Sequence, residues 1–403
     1  MVTAPAVTTH RRAGAVPGTA PPVPGTVPRG ATPPPPTYRE DTHAVTIADE
    51  RTVGTTATAK TGGGSGLGRY ILVRFLLIIP TVLILVTLVF FLMRVVGDPI
   101  TASVGGRLTQ AQLAERLHAA GYDRPILVQY GEYLGQVFTG DFGRTITDNR
   151  AIGEILVTYG SATLELVLYS LVVALVVGIP LGMLAAYLRD RFPDAVLRVF
   201  AILCYATPVF FAGLILKLVF SVWLGWFPLG GRASTDVQLI LGRISGSTGI
   251  NTIDALRTGR WDLISDVLAH AVLPAVALGL LTAGVFLRLV RTNVIGTLGM
   301  DYVDAARSRG VRESRLVRRH AYKPALIPII TVMGMQIALM MGGAILTETT
   351  FEWRGLGFQL AQYLGARDYV AVQGIVALIA VIVAVTNFVV DVIAALVDPR
   401  VRY

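Results

Sequence analysis

Long apolar runs separated by polar or basic stretches dominate the chain from Ile71 onward. At 1.5 Å of rise per residue, an α-helix needs roughly twenty apolar residues to cross the hydrocarbon of a bilayer. Residues 71–93, 162–187, 199–223, 268–287, 326–346 and 371–396 meet that requirement, so the pattern predicts an all-α polytopic protein with six transmembrane helices. Pro80, Pro180 and Pro208 lie inside these runs and predict kinks, which a bundle tolerates when neighbours satisfy the freed carbonyls. Small residues, Gly279 and Gly284 in the fourth run and Ala338, Gly342, Gly343 and Ala344 in the fifth, predict close helix contacts.

The connections carry their own signals. In the first, residues 94–161, Thr109 and Gln112 fit a capping box and Gly121 suits the end of the helix that follows. Pro125 is placed to begin a second helix reaching about Phe138. Such a loop suits a structural cap, a cover for the path or a partner's landing place. The stretch from Trp226 to Asp266 is rich in Gly, Ser and Thr and is expected to be mobile. Residues 1–66 are rich in Pro, Thr, Ala and Gly, include the proline run 33–36 and show no apolar period; they predict a disordered tail before a permease domain at 67–403. With no apolar h-region in that tail, the first run is expected to serve as an uncleaved anchor.

Charge sets the topology. Arg189, Arg191 and Arg198 follow the second run, and Arg288, Arg291, Arg307, Arg309, Arg312, Arg315, Arg318, Arg319 and Lys323 populate residues 288–325 after the fourth. Arg232, Arg243, Arg257 and Arg260 on the other side are balanced by Asp236, Asp254, Asp262 and Asp266. The positive-inside rule therefore places residues 288–325 and both termini in the cytoplasm. A composition of 53% hydrophobic and 15% charged residues is too apolar for a soluble globule. The net charge of +9 is distributed beside the spans without an aromatic-basic signature, so it is read as topological and no nucleic acid is expected as a partner.

Within the basic connection, residues 301–310 read Asp-Tyr-Val-Asp-Ala-Ala-Arg-Ser-Arg-Gly. Asp301 is placed to cap a short helix, Tyr302 to Arg309 form its body, and Gly310 suits the left-handed residue that ends it. A second helix starts near Glu313. Ala305 and Ala306 would let another protein approach the backbone closely. The stretch suits either a docking element or a basic topology determinant.

Chemistry on this chain finds little support. A phosphate-binding loop needs Gly-Lys-Ser/Thr, and Lys60, Lys217 and Lys323 do not follow glycine. His270 and His320 stand far apart, outside metalloprotease spacing. Cys204 is alone, which removes an internal disulfide or a cysteine metal cluster. No metal or cofactor is expected on the chain. Lys217, Glu165 and Asp391 lie near span ends and are read as interfacial anchors rather than a proton relay. In the fifth run Met333, Gln336, Met340, Gly343 and Thr347 recur at helical spacing, a stripe suited either to lining a transport path or to packing on another helix.

From about Arg69 to its end the chain resembles the B-type permease subunits of dipeptide, oligopeptide and nickel ABC importers. The resemblance rests on Gly97-Asp98-Pro99, Asp123-Arg124-Pro125, Gly140-Asp141-Phe142-Gly143, Ala162-Thr163-Leu164-Glu165 and Gly178-Ile179-Pro180-Leu181-Gly182. It continues through Asp304-Ala305-Ala306 with Gly310, Gly355-Leu356-Gly357, Arg367-Asp368-Tyr369, Val372-Gln373-Gly374 and Asp398-Pro399-Arg400. It implies that Asp301, Tyr302, Asp304, Ala305, Ala306 and Gly310 form the family's EAA loop, which docks in a groove on a cytoplasmic ATPase. It also implies a second permease, two ATP-binding subunits or one fused ATPase that hold ATP and Mg, an extracytoplasmic binding protein, and a prokaryotic cell membrane. Asp304 in place of Glu, Arg354 where proline is frequent, and a longer stretch after Arg232 depart from the family. An ion-coupled secondary carrier is the alternative in a different class; a permease for nickel chelates or another small solute is the alternative within the family.

Overall fold

The computed structural model describes residues 65–97, 101, 109–119 and 121–397, with the side chains of a few helical residues excepted. The tail expected up to residue 66 falls outside these but for its last two residues, and so do Asp98-Pro99 and Asp398-Pro399-Arg400. The described chain is helical, and its extended pairing is a single bridge between Arg144 and Ala151.

Helix α1 (Ser65–Val96) is followed by α2 (Gln110–Ala119) and α3 (Ile126–Thr139) in the first connection. Thr109 and Gln112 make the reciprocal capping bonds expected of them, at 3.1 and 3.4 Å. Gly121 and Gly140 adopt left-handed conformations, φ +72° and +74°, where their helices end. Pro125 is the residue that opens α3.

The second span, α4 (Ile152–Tyr187), and the fourth, α9 (Trp261–Leu298), are longer than their apolar runs and form the central pair. Their backbones approach at glycines. A Cβ on Gly182 would lie 2.7 Å from Val290 Cβ, and one on Gly279 would lie 2.7 Å from the Ser170 carbonyl oxygen. Small residues thus replace the missing hydrophobic driving force in lipid by close van der Waals contact.

The third span is not one kinked helix. It is broken into α5 (Phe192–Ala206) and α6 (Val209–Leu216), the latter running on as a π-helical turn (Lys217–Trp223), and the two halves are bent by 106°. Thr207 is extended, as the residue before a proline prefers to be, so Pro208 starts a new helix rather than bending the old one. Among the described residues five helices are long and apolar enough to cross a membrane, and there are six such spans if the broken pair counts as one.

The third connection is ordered, against the expectation from its composition. It holds α7 (Thr235–Gly242) and α8 (Asn251–Thr258), and buries Ala233, Val237, Leu241 and Ala255 against Leu263 and Val267 of α9. After α9 come α10 (Asp301–Ser308), the single turn α11 (Glu313–Arg315), a π-helical turn (Leu316–Ala321) and the fifth span α12 (Tyr322–Phe351). Helix α13 (Leu356–Gly365) leads to the sixth span, α14 (Tyr369–Val397). Helix α1 lies against α14 and leaves Leu72, Phe75, Ile79, Ile84 and Leu88 exposed, a face suited to hydrocarbon or another helix.

Candidate coupling loop and transport path

Residues 301–310 form a compact bracket at one end of the bundle. The helix cap is Met300, extended at φ −87° and ψ 146°, and makes no side-chain capping bond; Asp301 is instead the first helical residue. It and Asp304 place negative charge in the first turn, where the helix dipole favours it. At the other end Gly310 is left-handed, φ +77°. Its N–H donates to the Arg307 carbonyl at 2.9 Å, and the Val311 N–H to the Ala306 carbonyl at 3.3 Å. These two bonds, with Ala306 and Val311 both packed on the same core, make the Schellman ending that the glycine predicted.

Val303 anchors the bracket. It is fully buried among Val294, Leu298, Leu316, Val317 and Ala321. The two alanines differ: Ala305 is exposed, whereas Ala306 is half-buried against that core. Asp301, Tyr302 and Asp304 are exposed, and the Tyr302 hydroxyl donates to the His320 carbonyl at 3.3 Å. Arg307 pairs with Asp304 and, through Nε at 2.6 Å, with Glu313. The Glu313 hydrogen bond raises the Arg307 guanidinium above its ordinary value. Arg307 therefore ties α10 to α11, and Asp304 is already engaged within the loop.

The stripe on α12 turns into the bundle. Gln336, Met340 and Thr347 are buried, Met340 sits in a cluster with Leu278 of α9, and a Cβ on Gly343 would meet Leu278 Cδ1 at 3.1 Å. Met333 packs on the cluster that holds Val303. Within this chain the buried members of the stripe pack on neighbouring helices. The opposite face of α12 presents Met335, Leu339 and Leu346, each at least half exposed.

The charges read as interfacial anchors are more tightly held than their positions suggested. Glu165, on α4, is 3% exposed; Oε2 accepts from Arg232 Nη2 at 2.6 Å, and Oε1 accepts from the Thr252 N–H at 2.8 Å. It straps the third connection to the second span. In that connection Asp254 is 1% exposed. Burial works against its charge, but the Thr248 N–H and the hydroxyls of Ser247 and Thr248 offset this and hold the carboxyl below its ordinary range. Lys217 donates to the Thr350 carbonyl at 2.8 Å and lies over the Phe351 ring, joining the third span to the fifth instead of reaching outward. Asp391 pairs with Arg74 at 3.4 Å.

Glu348 belongs to none of the motifs or apolar runs of the sequence. It is completely buried near the end of α12, accepting from the Thr163 hydroxyl at 2.6 Å and the Phe358 N–H at 2.9 Å. Thr163 in turn accepts from the Leu356 N–H at 2.8 Å, and Trp353 Nε1 donates to the Ala162 carbonyl at 2.9 Å. Glu348 lies two residues past the apolar run 326–346, so the run itself gives no sign of it. Its partners were not visible in the local pattern.

This arrangement offers a rigid loop fused to long spans, and among the described residues no cluster of His, Cys, Asp or Glu suited to a metal. The family described as binding-protein-dependent transport system inner membrane component matches residues 178–403, and its N-terminal companion matches residues 67–159. The di/tripeptide transport system permease protein DppB of Pseudomonas aeruginosa is 37% identical over 332 residues, which cover 82% of this chain and 97% of that protein. The dipeptide permease DppB of Escherichia coli K12 is 36% identical over 337 residues, with 83% and 99% covered. The glutathione permease GsiC of Salmonella typhi is 33% identical over 335 residues, with the same shares covered. The chain thus belongs to the inner-membrane components of binding-protein-dependent transport systems, the multi-pass permease subunits of ABC importers, in the dipeptide and oligopeptide group.

Proposed function

We propose that this chain forms half of the translocation path of an ATP-driven importer of di- or oligopeptides. The substrate class is supported by the names of its relatives, which include di/tripeptide, dipeptide and glutathione permeases. The observation that carries the coupling role is the bracket at 301–310: a short helix with an exposed Ala305, closed by a left-handed Gly310 and rooted through Val303 between α9 and the π-helical turn before α12. A push on such a bracket moves the attached spans as a lever rather than bending a loop. The complex would contain a second permease, a pair of ATPases or one fused ATPase, and an extracytoplasmic binding protein. ATP and Mg belong to the ATPases, and this chain performs no chemistry. Both termini and the bracket lie in the cytoplasm by the arginine bias. The exposed Met335, Leu339 and Leu346 face of α12 is the better candidate wall for the path.

The test is peptide uptake by the reconstituted complex. Uptake should require ATP and survive an uncoupler. Ala305→Trp should lower peptide-stimulated ATP hydrolysis and uptake together while leaving membrane insertion intact. Uptake that persists without ATP and collapses with an uncoupler would instead assign an ion-coupled carrier. Normal coupling in Ala305→Trp and in Gly310→Pro would remove the docking role.

A further inference from the structure

A slot of about 170 Å³ opens between α5 and α9 at the end of the bundle that carries the bracket. Its walls are apolar, with Ile202, Val285 and the Tyr205 ring among them, and its rim carries Arg198, Arg288 and Arg291. Of these guanidiniums, Arg291 and Arg198 pair with a single carboxylate. That acid, Asp194, is fully buried and already taken by Arg291, whose Nε and Nη2 each donate to it at 2.7 Å. Arg198 stands 3.8 Å from the same acid with its side chain 54% exposed, and Arg288 is exposed over the Tyr205 ring with no acidic partner among the described residues. Asp190, whose N–H donates to Asp194 at 3.1 Å, adds a negative charge beside Arg291, and none of the described ion pairs joins it to Arg288.

We propose that this slot binds an anionic phospholipid, with Arg198 and Arg288 holding the headgroup phosphate and an acyl chain lying along Ile202 and Val285. Charge alone would suit any phosphate. The apolar walls decide for a lipid, because inorganic phosphate gains nothing from Ile202, Val285 and the floor of the slot. The setting agrees: Val199, Ile202 and Leu203 of α5 are all more than half exposed, so this face meets hydrocarbon, while Arg198 and Arg288 directly flank the apolar runs 199–223 and 268–287, where headgroups lie. Basic pockets between transmembrane helices on the arginine-rich side are the expected seats of anionic headgroups. The site is independent of the bracket's role. Its rim includes Arg291 of the Arg291–Asp194 pair that joins α5 to α9, so an occupant would bridge the same two helices.

The experiment uses the assembled transporter, purified in mild detergent and placed in bilayers of phosphatidylethanolamine with or without phosphatidylglycerol. Retained lipid is identified by mass spectrometry. A photo-crosslinking amino acid at Ile202 reports what covers the slot. Expected are retained phosphatidylglycerol and a lipid adduct at position 202. Affinity for phosphatidylglycerol should fall about fivefold for R198Q or R288Q and about thirtyfold for both, with binding restored by R198K/R288K. The lysine variant also controls for misfolding of the glutamine forms. A protein adduct to another subunit at position 202 would assign the slot to a subunit contact. Equal retention in wild type and the double glutamine variant, or displacement of the lipid by inorganic phosphate alone, would overturn the proposal.

Discussion

Asp194→Ala removes the counter-charge of Arg291 without touching the bracket, and the structure sets what this should cost. The carboxylate is fully buried, accepts two guanidinium hydrogen bonds at 2.7 Å and takes a third from the Asp190 N–H at 3.1 Å. Removing one partner of a buried ion pair costs about 3–5 kcal/mol, because the other charge is left uncompensated. Arg291 keeps 19% of its side chain exposed and recovers some hydration, so the low end, about 3 kcal/mol, is the expected loss. Membrane complexes rarely unfold reversibly, which makes a cycle of denaturation midpoints the suitable readout. Asp194→Ala and Arg291→Ala should each lower the midpoint strongly, and the double variant no further than either alone. Asp194→Leu with Arg291→Met, which replaces the pair by apolar groups, should regain most of the loss. A wild-type midpoint for Asp194→Ala, or strictly additive single effects, would refute the claim that the pair holds α5 to α9.

Three other outcomes follow from the packing and hydrogen bonding. Gly182→Val places a Cβ 2.7 Å from Val290 Cβ and should reduce the folded yield by about 1–3 kcal/mol of overpacking, whereas Gly296→Ala, with open space around it, should be tolerated in the same yield assay. Asp368, fully buried, accepts from the N–H groups of Ile146 and Thr147 at 2.7 and 2.8 Å; Asp368→Ala orphans both at about 1–3 kcal/mol each and should speed protease cleavage between Gly143 and Ala151, and unchanged cleavage would contradict this. Because the Asp254 carboxyl is held below its ordinary range, its contribution is complete above about pH 4 and is lost as pH falls through the lower folded value. Asp254→Asn should therefore be less stable than wild type at neutral pH and flatter in its acid melting profile, and parallel profiles would count against the assignment.

What could be read from the sequence was local. Gly310, Thr109 with Gln112, and Pro125 each act within a few residues, so their spacing already contains the interaction they make. Spans were legible because length and hydropathy are properties of a continuous run. The third span resisted, since Pro208 permits both a kink and a break, and the apolar residues on either side do not distinguish a straight helix from the 106° bend. The third connection reads as mobile from Gly and Ser alone; its order comes from the apolar contacts with α9 and from Glu165, 67 residues from Arg232 and 87 from Thr252. Glu348 and Lys217 likewise depend on partners brought close by the fold. The inward turn of Met340 and Thr347 shows the same limit, because a helical period identifies a face without saying what it meets.

Purification of the tagged chain from its native membrane in mild detergent, with mass spectrometry of the proteins retained and an ATPase assay, tests the central claim most directly. The account predicts a second six-span permease together with P-loop ATPases, and loss of those ATPases when Ala305 is replaced by tryptophan. Recovery of this chain alone or self-associated, without ATPase activity, under conditions that keep a known importer intact, would contradict it.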